Sequence, residues 1–72
     1  MIKLNNLRMG EIIRENRDRL DLSVEDLGKK VGAGPYSVMR WENGQRLPRI
    51  DYVVNMANVF GCKVTDLIVV EK

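Results

Sequence analysis

Residues 24–43, VEDLGKKVGAGPYSVMRWEN, predict two short helices joined by a tight turn. Leu27 and Val31 are four residues apart, so they lie on the same face of the first helix. Val38 and Trp41 are three residues apart and lie on the same face of the second helix. Each helix therefore has an apolar face, and we expect the two faces to pack into one core.

The segment between the two helices carries residues that favour a turn. Gly32 stands where a left-handed residue would end the first helix, and Pro35 can open the second because its φ is already near the helical value. Gly28 omits a side chain on the inner face, which we expect to let the two helices cross closely. A short helix, a turn of this kind and a second helix form the helix-turn-helix pattern by which many proteins bind DNA.

Apolar residues recur at helical spacing on both sides of this motif. Met9, Ile13 and Leu20 follow one face before it, and Val53 and Ala57 follow one face after it. The predicted fold class is therefore all-α, a compact bundle of five short helices in a single domain over residues 1–72, with residues 1–6 as a flexible arm. The helices are expected at about 7–19, 23–31, 35–42, 50–60 and 64–68.

Composition limits the classes of protein that the chain can belong to. The 72 residues include one cysteine and no histidine, so neither a disulfide framework nor a Cys/His zinc site can form within one chain. We expect no metal and no cofactor. No nucleophile stands beside a base and the chain is too short for a sizeable pocket, which argues against an enzyme. No apolar run has the length of a signal or membrane segment, and we expect a cytoplasmic protein.

Positive charge is concentrated in the middle of the chain. Residues 27–50 hold five basic residues against Glu42, a local charge of +4, while the remaining seven basic and nine acidic residues sum to −2. This distribution favours contact with DNA phosphates, although a solvated surface would give the same pattern.

A set of residues spaced along about residues 9–68 follows a known pattern, and its members are Gly10, Ile13, Arg17, Leu22, Ser23, Leu27, Gly28, Val31, Gly32, Val38, Trp41, Glu42, Asn43, Gly44, Pro48, Val53, Ala57, Phe60, Gly61 and Leu67. In these positions the chain resembles the XRE family, the helix-turn-helix fold of lambda-type repressors and Cro proteins. That resemblance implies five short helices, a bacterial or phage origin, and an ion pair between Arg17 and Glu42. Physical reasoning alone favours instead an exposed Arg17 that pairs with Asp18 or Asp21.

The chain departs from the family pattern at three places. Val24 stands where such proteins usually carry a glutamine that holds a phosphate, so only its backbone amide can serve. Pro35 and Tyr36 stand where polar base-reading side chains are common, and Gly34 replaces the frequent serine or threonine cap. These departures bear on the base contacts more than on the fold.

The candidate DNA-contacting residues fall into two groups. Arg40 is the first choice for base reading, because its planar guanidinium can donate to O6 and N7 of one guanine; a phosphate contact is the alternative role. The base-reading candidates are Pro35, Tyr36, Ser37 and Arg40. The phosphate-binding candidates, which include the backbone amides of Val24 and Asn43, are Ser23, Val24, Asn43, Gln45, Arg46 and Arg49.

These features predict sequence-specific binding to double-stranded DNA by a transcriptional regulator, most simply a repressor. Because one recognition helix covers few base pairs, we expect a homodimer on a palindromic operator with half-sites about 34 Å apart. The apolar segment from Leu67 to Val70 is the predicted dimer seam, unless it folds back on Phe60 and Cys62. The alternative is a protein-interaction module, such as an antitoxin or adaptor, which Pro35 and Tyr36 favour.

Overall fold

The computed structural model describes residues 2–71, and the fold of this part of the chain is mostly helical. No helix within it is long and apolar enough to cross a membrane. Residues 2–71 form four α-helices where five were expected, together with a 3-10 turn and two short strands. In chain order the elements are β1 (Lys3–Leu4), α1 (Asn6–Arg19), α2 (Val24–Val31), α3 (Pro35–Glu42), α4 (Ile50–Phe60), the 3-10 turn (Val64–Asp66) and β2 (Val70–Glu71).

The predicted fifth helix over residues 64–68 is instead this single 3-10 turn. The Leu67 amide donates to the Val64 carbonyl at 3.0 Å, which is the three-residue spacing of a 3-10 turn. The chain then turns inward and places Leu67 in the core, where it is 2% exposed. Val70 lies in β2. Leu67 is therefore buried within the chain and cannot form part of the predicted dimer seam, whereas Val70, at the other end of that segment, is 49% exposed.

The expected flexible arm over residues 1–6 is largely replaced by ordered structure. Strands β1 and β2 are antiparallel, with Lys3 opposite Glu71 and Leu4 opposite Val70. The Asn5 amide extends the pairing by donating to the Val69 carbonyl at 2.8 Å. The two ends of the described chain are thus held together by backbone hydrogen bonds. Met1 lies outside the described residues.

The ends of the two motif helices have local causes. Ser23 caps α2: its hydroxyl accepts from the Asp26 amide at 3.0 Å, and its own amide donates to the Asp26 carboxylate at 3.1 Å. Gly32 ends α2 in the left-handed conformation, with φ 84°. Pro35 is the first residue of α3. The turn that was predicted from Gly32 and Pro35 is therefore present.

One apolar cluster joins the four helices and the 3-10 turn. Trp41 belongs to this cluster and is 3% exposed. The centroids of the Trp41 and Tyr52 rings are 5.1 Å apart. Trp41 is therefore a core residue, as its spacing with Val38 predicts. The buried members are Ile13, Leu27, Val31, Val38, Trp41, Val53, Met56, Ala57, Phe60 and Leu67.

Two glycines permit close backbone approach. A Cβ on Gly10 would lie 2.5 Å from the Glu42 carbonyl oxygen and would also clash with that of Trp41, so α1 can lie against the end of α3 only without a side chain there. A Cβ on Gly28 would lie 2.5 Å from the Ala33 carbonyl oxygen. Gly28 therefore makes room for the turn after α2, and the expected close crossing of α2 and α3 is not its main effect.

Candidate nucleic-acid interface

Helix α3 presents one face to solvent because its opposite face is anchored in the core. Val38 and Trp41 are buried, which fixes the rotation of α3 about its axis. Pro35 and Tyr36 are consequently exposed at its N-terminal end, and the Tyr36 side chain is 65% exposed. The other two base-reading candidates, Ser37 and Arg40, are half-buried. All four candidates lie on one short helix that is anchored in the core through Val38 and Trp41.

Tyr36 and Arg40 contact each other on this exposed face. The guanidinium carbon of Arg40 lies over the Tyr36 ring, 4.6 Å from its centroid. One guanidinium nitrogen, Nη2, donates to the Tyr36 hydroxyl at 3.2 Å. The two residues are four apart, a spacing at which helical side chains meet. Arg40 is thus partly held in place by an aromatic ring.

A groove of about 290 Å³ runs beside α3 and gathers candidates from two elements. Ser37 lies on its α3 side, and Arg46 and Arg49 come from the loop that follows. The Arg49 guanidinium lies 5.3 Å from the centroid of the Tyr52 ring and 3.4 Å from an Asp51 carboxylate oxygen. The groove is therefore a polar site with two arginines next to the exposed end of α3.

A part-buried ion pair joins α1 to the end of α3. Arg17 donates through Nε to Glu42 Oε2 at 2.6 Å and through Nη2 to Glu42 Oε1 at 3.0 Å. Its Nη1 donates to the Leu22 carbonyl at 2.8 Å and lies 3.5 Å from an Asp18 oxygen. The hydrogen bond that Arg17 donates to the Glu42 carboxylate raises the pKa of Arg17. The ion pair that the family resemblance implies is present, and it compensates the Glu42 charge close to α3.

Two of the predicted phosphate contacts need correction. The Ser23 hydroxyl and amide are both engaged with Asp26, whose pKa is lowered by the hydrogen bond from the Ser23 backbone. The Asn43 amide donates to the Met39 carbonyl at 3.0 Å. Neither amide is free for a phosphate, so Asn43 can offer only its side chain. The Val24 amide sits at the first residue of α2, where a helix supplies no acceptor of its own.

A family model described as helix-turn-helix matches residues 13–67, which is most of the chain. The chain belongs to this helix-turn-helix family. It is a lambda repressor-like member of the XRE family, in agreement with the resemblance seen in the sequence. A comparison of the helix-turn-helix chain with curated protein sequences finds no match.

Solved structures share the fold of this helix-turn-helix domain. The P22 c2 repressor in complex with synthetic operator 9T is 29% identical with a TM-score of 0.79, over 82% of this chain and 89% of that one. The solution structure of the P22 c2 DNA-binding domain is 28% identical with a TM-score of 0.79, over 88% and 83%. The restriction-modification controller protein C.AhdI from Aeromonas hydrophila is 26% identical with a TM-score of 0.78, over 85% and 88%.

Two contacts in which an arginine guanidinium lies over a tyrosine ring were not predicted from the sequence. Tyr36 lies under Arg40, and Tyr52 lies under Arg49 while also packing on Trp41. Both arginine–tyrosine pairs have spacings of three or four residues, which is the signal that could have identified them.

Proposed function

We propose that this domain binds double-stranded DNA sequence-specifically and acts as a transcriptional repressor, with α3 in the major groove. The observation that carries the proposal is the position of Tyr36 and Arg40 on the exposed face of a core-anchored helix, with Arg46 and Arg49 beside it. An α-helix fits the width of the major groove, where each base pair has a distinct pattern of donors and acceptors. The similarity to a repressor solved with its operator supports the same role.

Base reading is assigned to the exposed end of α3. Arg40 would donate to guanine O6 and N7, and Ser37 would donate to or accept from a base edge. Tyr36 would contact an apolar base edge, and Pro35 would bring the helix start close to the bases. Ser37 also borders the arginine groove, so it lies between the base-reading and phosphate-binding groups.

Phosphate binding is assigned to residues on either side of α3. Arg46 and Arg49 are exposed and would neutralise backbone charge, and Gln45 would add a neutral hydrogen bond. The Val24 amide and the Asn43 side chain complete this group. Ser23 would act indirectly, because its capping interaction with Asp26 fixes the start of α2.

Substitution of the arginines tests this division of roles. Arg46→Ala or Arg49→Ala should weaken binding to all duplexes about equally and reduce the salt dependence by about one unit of slope per lost phosphate contact. Arg40→Ala should instead remove the preference for one base pair per half-site. Binding is measured by fluorescence anisotropy over a range of salt, on selected and random duplexes. Arg14→Ala, an exposed arginine on α1, is the matched control.

Equal losses on specific and random duplexes for Arg40→Ala would make it a phosphate contact and leave base reading to Tyr36 and Ser37. The second candidate function is a protein-interaction module, which the exposed side chains of Tyr36 and Met39 on α3 favour. Duplex binding that is absent, or that shows no salt dependence, would support this second candidate.

We further propose that two copies bind a palindrome through an apolar face beside the arginine groove. Leu47 borders that groove and also lines an apolar depression with Leu4, Ile50 and Ile68. Ile50 is 64% exposed. Continuous exposed apolar surface of this kind marks interaction sites in small proteins. The exposed hydrophobic side chains that line this depression or the adjoining one, which shares Leu47, are Ile2, Leu7, Leu47 and Ile50.

Introducing a charge into this face should prevent assembly. In Ile50→Glu, a carboxylate would be desolvated at the proposed interface, so the variant should bind a full palindrome without cooperativity and about tenfold or more weakly. Sedimentation equilibrium of protein with a palindromic duplex gives the number of bound copies. The control is Leu20→Glu, which places the same charge at a partly exposed leucine that does not line this depression, and this variant should still assemble. One copy on the palindrome at saturation would contradict the dimer.

A further inference from the structure

We infer that Tyr36 and Arg40 act as one unit that selects two adjacent base pairs, a guanine and a neighbouring thymine or other 5-methylated pyrimidine. This inference rests on the proposed function and specifies the class of DNA sequence that α3 would select. It follows from the contact between the two side chains, from the donors that this contact leaves available, and from the spacing of stacked bases.

The contact brings the Arg40 side chain towards the N-terminal end of α3. Side chains on a helix lean towards its N-terminus, so Arg40 reaches back over the residue four positions earlier. There its guanidinium carbon lies 4.6 Å from the centroid of the Tyr36 ring, and Nη2 is 3.2 Å from the Tyr36 hydroxyl oxygen. The Glu42 carboxylate is bound by Arg17, and side chains two residues apart on a helix do not face each other, so Glu42 does not compete with Tyr36 for Arg40. The guanidinium is therefore held before any DNA is bound.

Holding Arg40 in this way leaves its guanine-binding capacity intact. A guanidinium has five N–H donors, and the hydrogen bond to Tyr36 uses one of them. The remaining donors on the two terminal nitrogens can still bind O6 and N7 of one guanine together. Because one side-chain arrangement is already favoured, less conformational freedom is lost on binding. Tyr36 is therefore a positioning residue for Arg40.

The ring itself would reach the next base pair. When an arginine binds guanine through two hydrogen bonds, its guanidinium group lies close to the plane of that base. The Tyr36 ring centroid lies 4.6 Å from the guanidinium carbon of Arg40, which is comparable with the separation of about 3.4 Å between successive base pairs. The Tyr36 ring would therefore face the major-groove edge of the neighbouring pair. The apolar group on such an edge is the C5-methyl of thymine, which cytosine lacks.

The experiment begins with the full chain and a random duplex pool, selected in parallel by the parent, Arg40→Ala, Tyr36→Ala and Tyr36→Phe. The guanine of interest is the one whose preference disappears with Arg40→Ala. We expect the parent to select thymine at an adjacent pair. Deoxyuridine, which differs from thymidine in DNA only by the missing methyl, is then placed at that position. Parent affinity should fall about fourfold, the value of one buried methyl group.

The variants separate the two contributions of Tyr36. Tyr36→Ala should become insensitive to deoxyuridine, and its preference for the guanine should fall about two- to fivefold, as expected for loss of an exposed cation–π contact. Tyr36→Phe keeps the ring, so it should retain the response to the methyl group. Replacing an adjacent cytosine by 5-methylcytosine should strengthen binding of the parent and of Tyr36→Phe, but not of Tyr36→Ala.

The outcomes distinguish this inference from the function on which it rests. Selective, salt-dependent duplex binding without a deoxyuridine effect, or with the same effect in Tyr36→Ala, would overturn the paired unit and leave the DNA-binding proposal in place. Selection of guanine without an adjacent thymine would also overturn it. Failure of the parent to bind any duplex would overturn both.

Discussion

Trp41→Ala is expected to lower the free energy of unfolding by about 3–5 kcal/mol, the usual penalty for truncating a fully buried tryptophan. The indole is 3% exposed and packs against Tyr52, and the backbone of α1 at Gly10 lies directly against the carbonyl of Trp41. No small shift of the neighbouring elements could fill the cavity. Domains of this size have a total stability of about 4–11 kcal/mol, so the variant should lose a large part of its stability and unfold at much lower urea concentration than the parent.

Circular dichroism during urea unfolding measures this effect. Tyr36→Ala is the matched control, because it removes an exposed aromatic side chain from the same helix and should change stability by less than about 1 kcal/mol. A Trp41→Ala protein that melts close to the parent would contradict the assignment of Trp41 to the core.

Glu42→Ala should also destabilise the domain, by about 3 kcal/mol. The side chains of Glu42 and Arg17 are 7% and 14% exposed, so removal of the carboxylate leaves a guanidinium that is poorly solvated and has lost its main counter-charge. Breaking one side of such a pair costs more than the pair itself contributes, since the remaining charge stays desolvated. The substitution should loosen α1 from α3 and weaken DNA binding indirectly.

Replacing both partners separates these two contributions. Arg17→Met combined with Glu42→Met removes the whole pair with side chains of similar length, and it should recover most of the stability lost in Glu42→Ala. Asp51→Asn, which disrupts the exposed contact with Arg49, should have little effect. A Glu42→Ala protein as stable as the parent would show that the ion pair contributes nothing. The measurement is again urea unfolding.

Helices α2, α3 and α4 could be predicted from sequence because their ends are determined locally. Pro35 opens α3, and Gly32 and Gly61 end α2 and α4 with left-handed backbones. The strands could not be predicted in the same way, because two residues show no periodicity and the partner of Lys3 is Glu71, near the other end of the chain. The prediction of a fifth helix was wrong because the chain forms only one 3-10 turn before it places Leu67 in the core.

The sequence indicates which residues of the candidate site face outward, but it does not indicate the hydrogen bonds and ring contacts that these residues make. The outward position of Arg40 follows from the burial of Val38 and Trp41, which sequence spacing gives directly. Whether the Asn43 amide donates to a carbonyl of α3 depends on how that helix ends, and helix ends are poorly determined by sequence. Gly10 also carries a physical signal of close packing, because a glycine inside a helix is unfavourable by about 1 kcal/mol and calls for a packing reason.

The two-stranded sheet also bears on the order of folding. Helices α2 and α3 are neighbours along the chain, whereas β1 and β2 join residues separated by almost its whole length. Closing a long loop costs more entropy than closing a short one, so we expect the helices to dock first and the sheet to form last. Leu4 of β1, which pairs with Val70 of β2, lines the apolar depression that also contains Ile50. Two incompletely folded copies would therefore lack the finished surface of the proposed dimer, and folding would precede association.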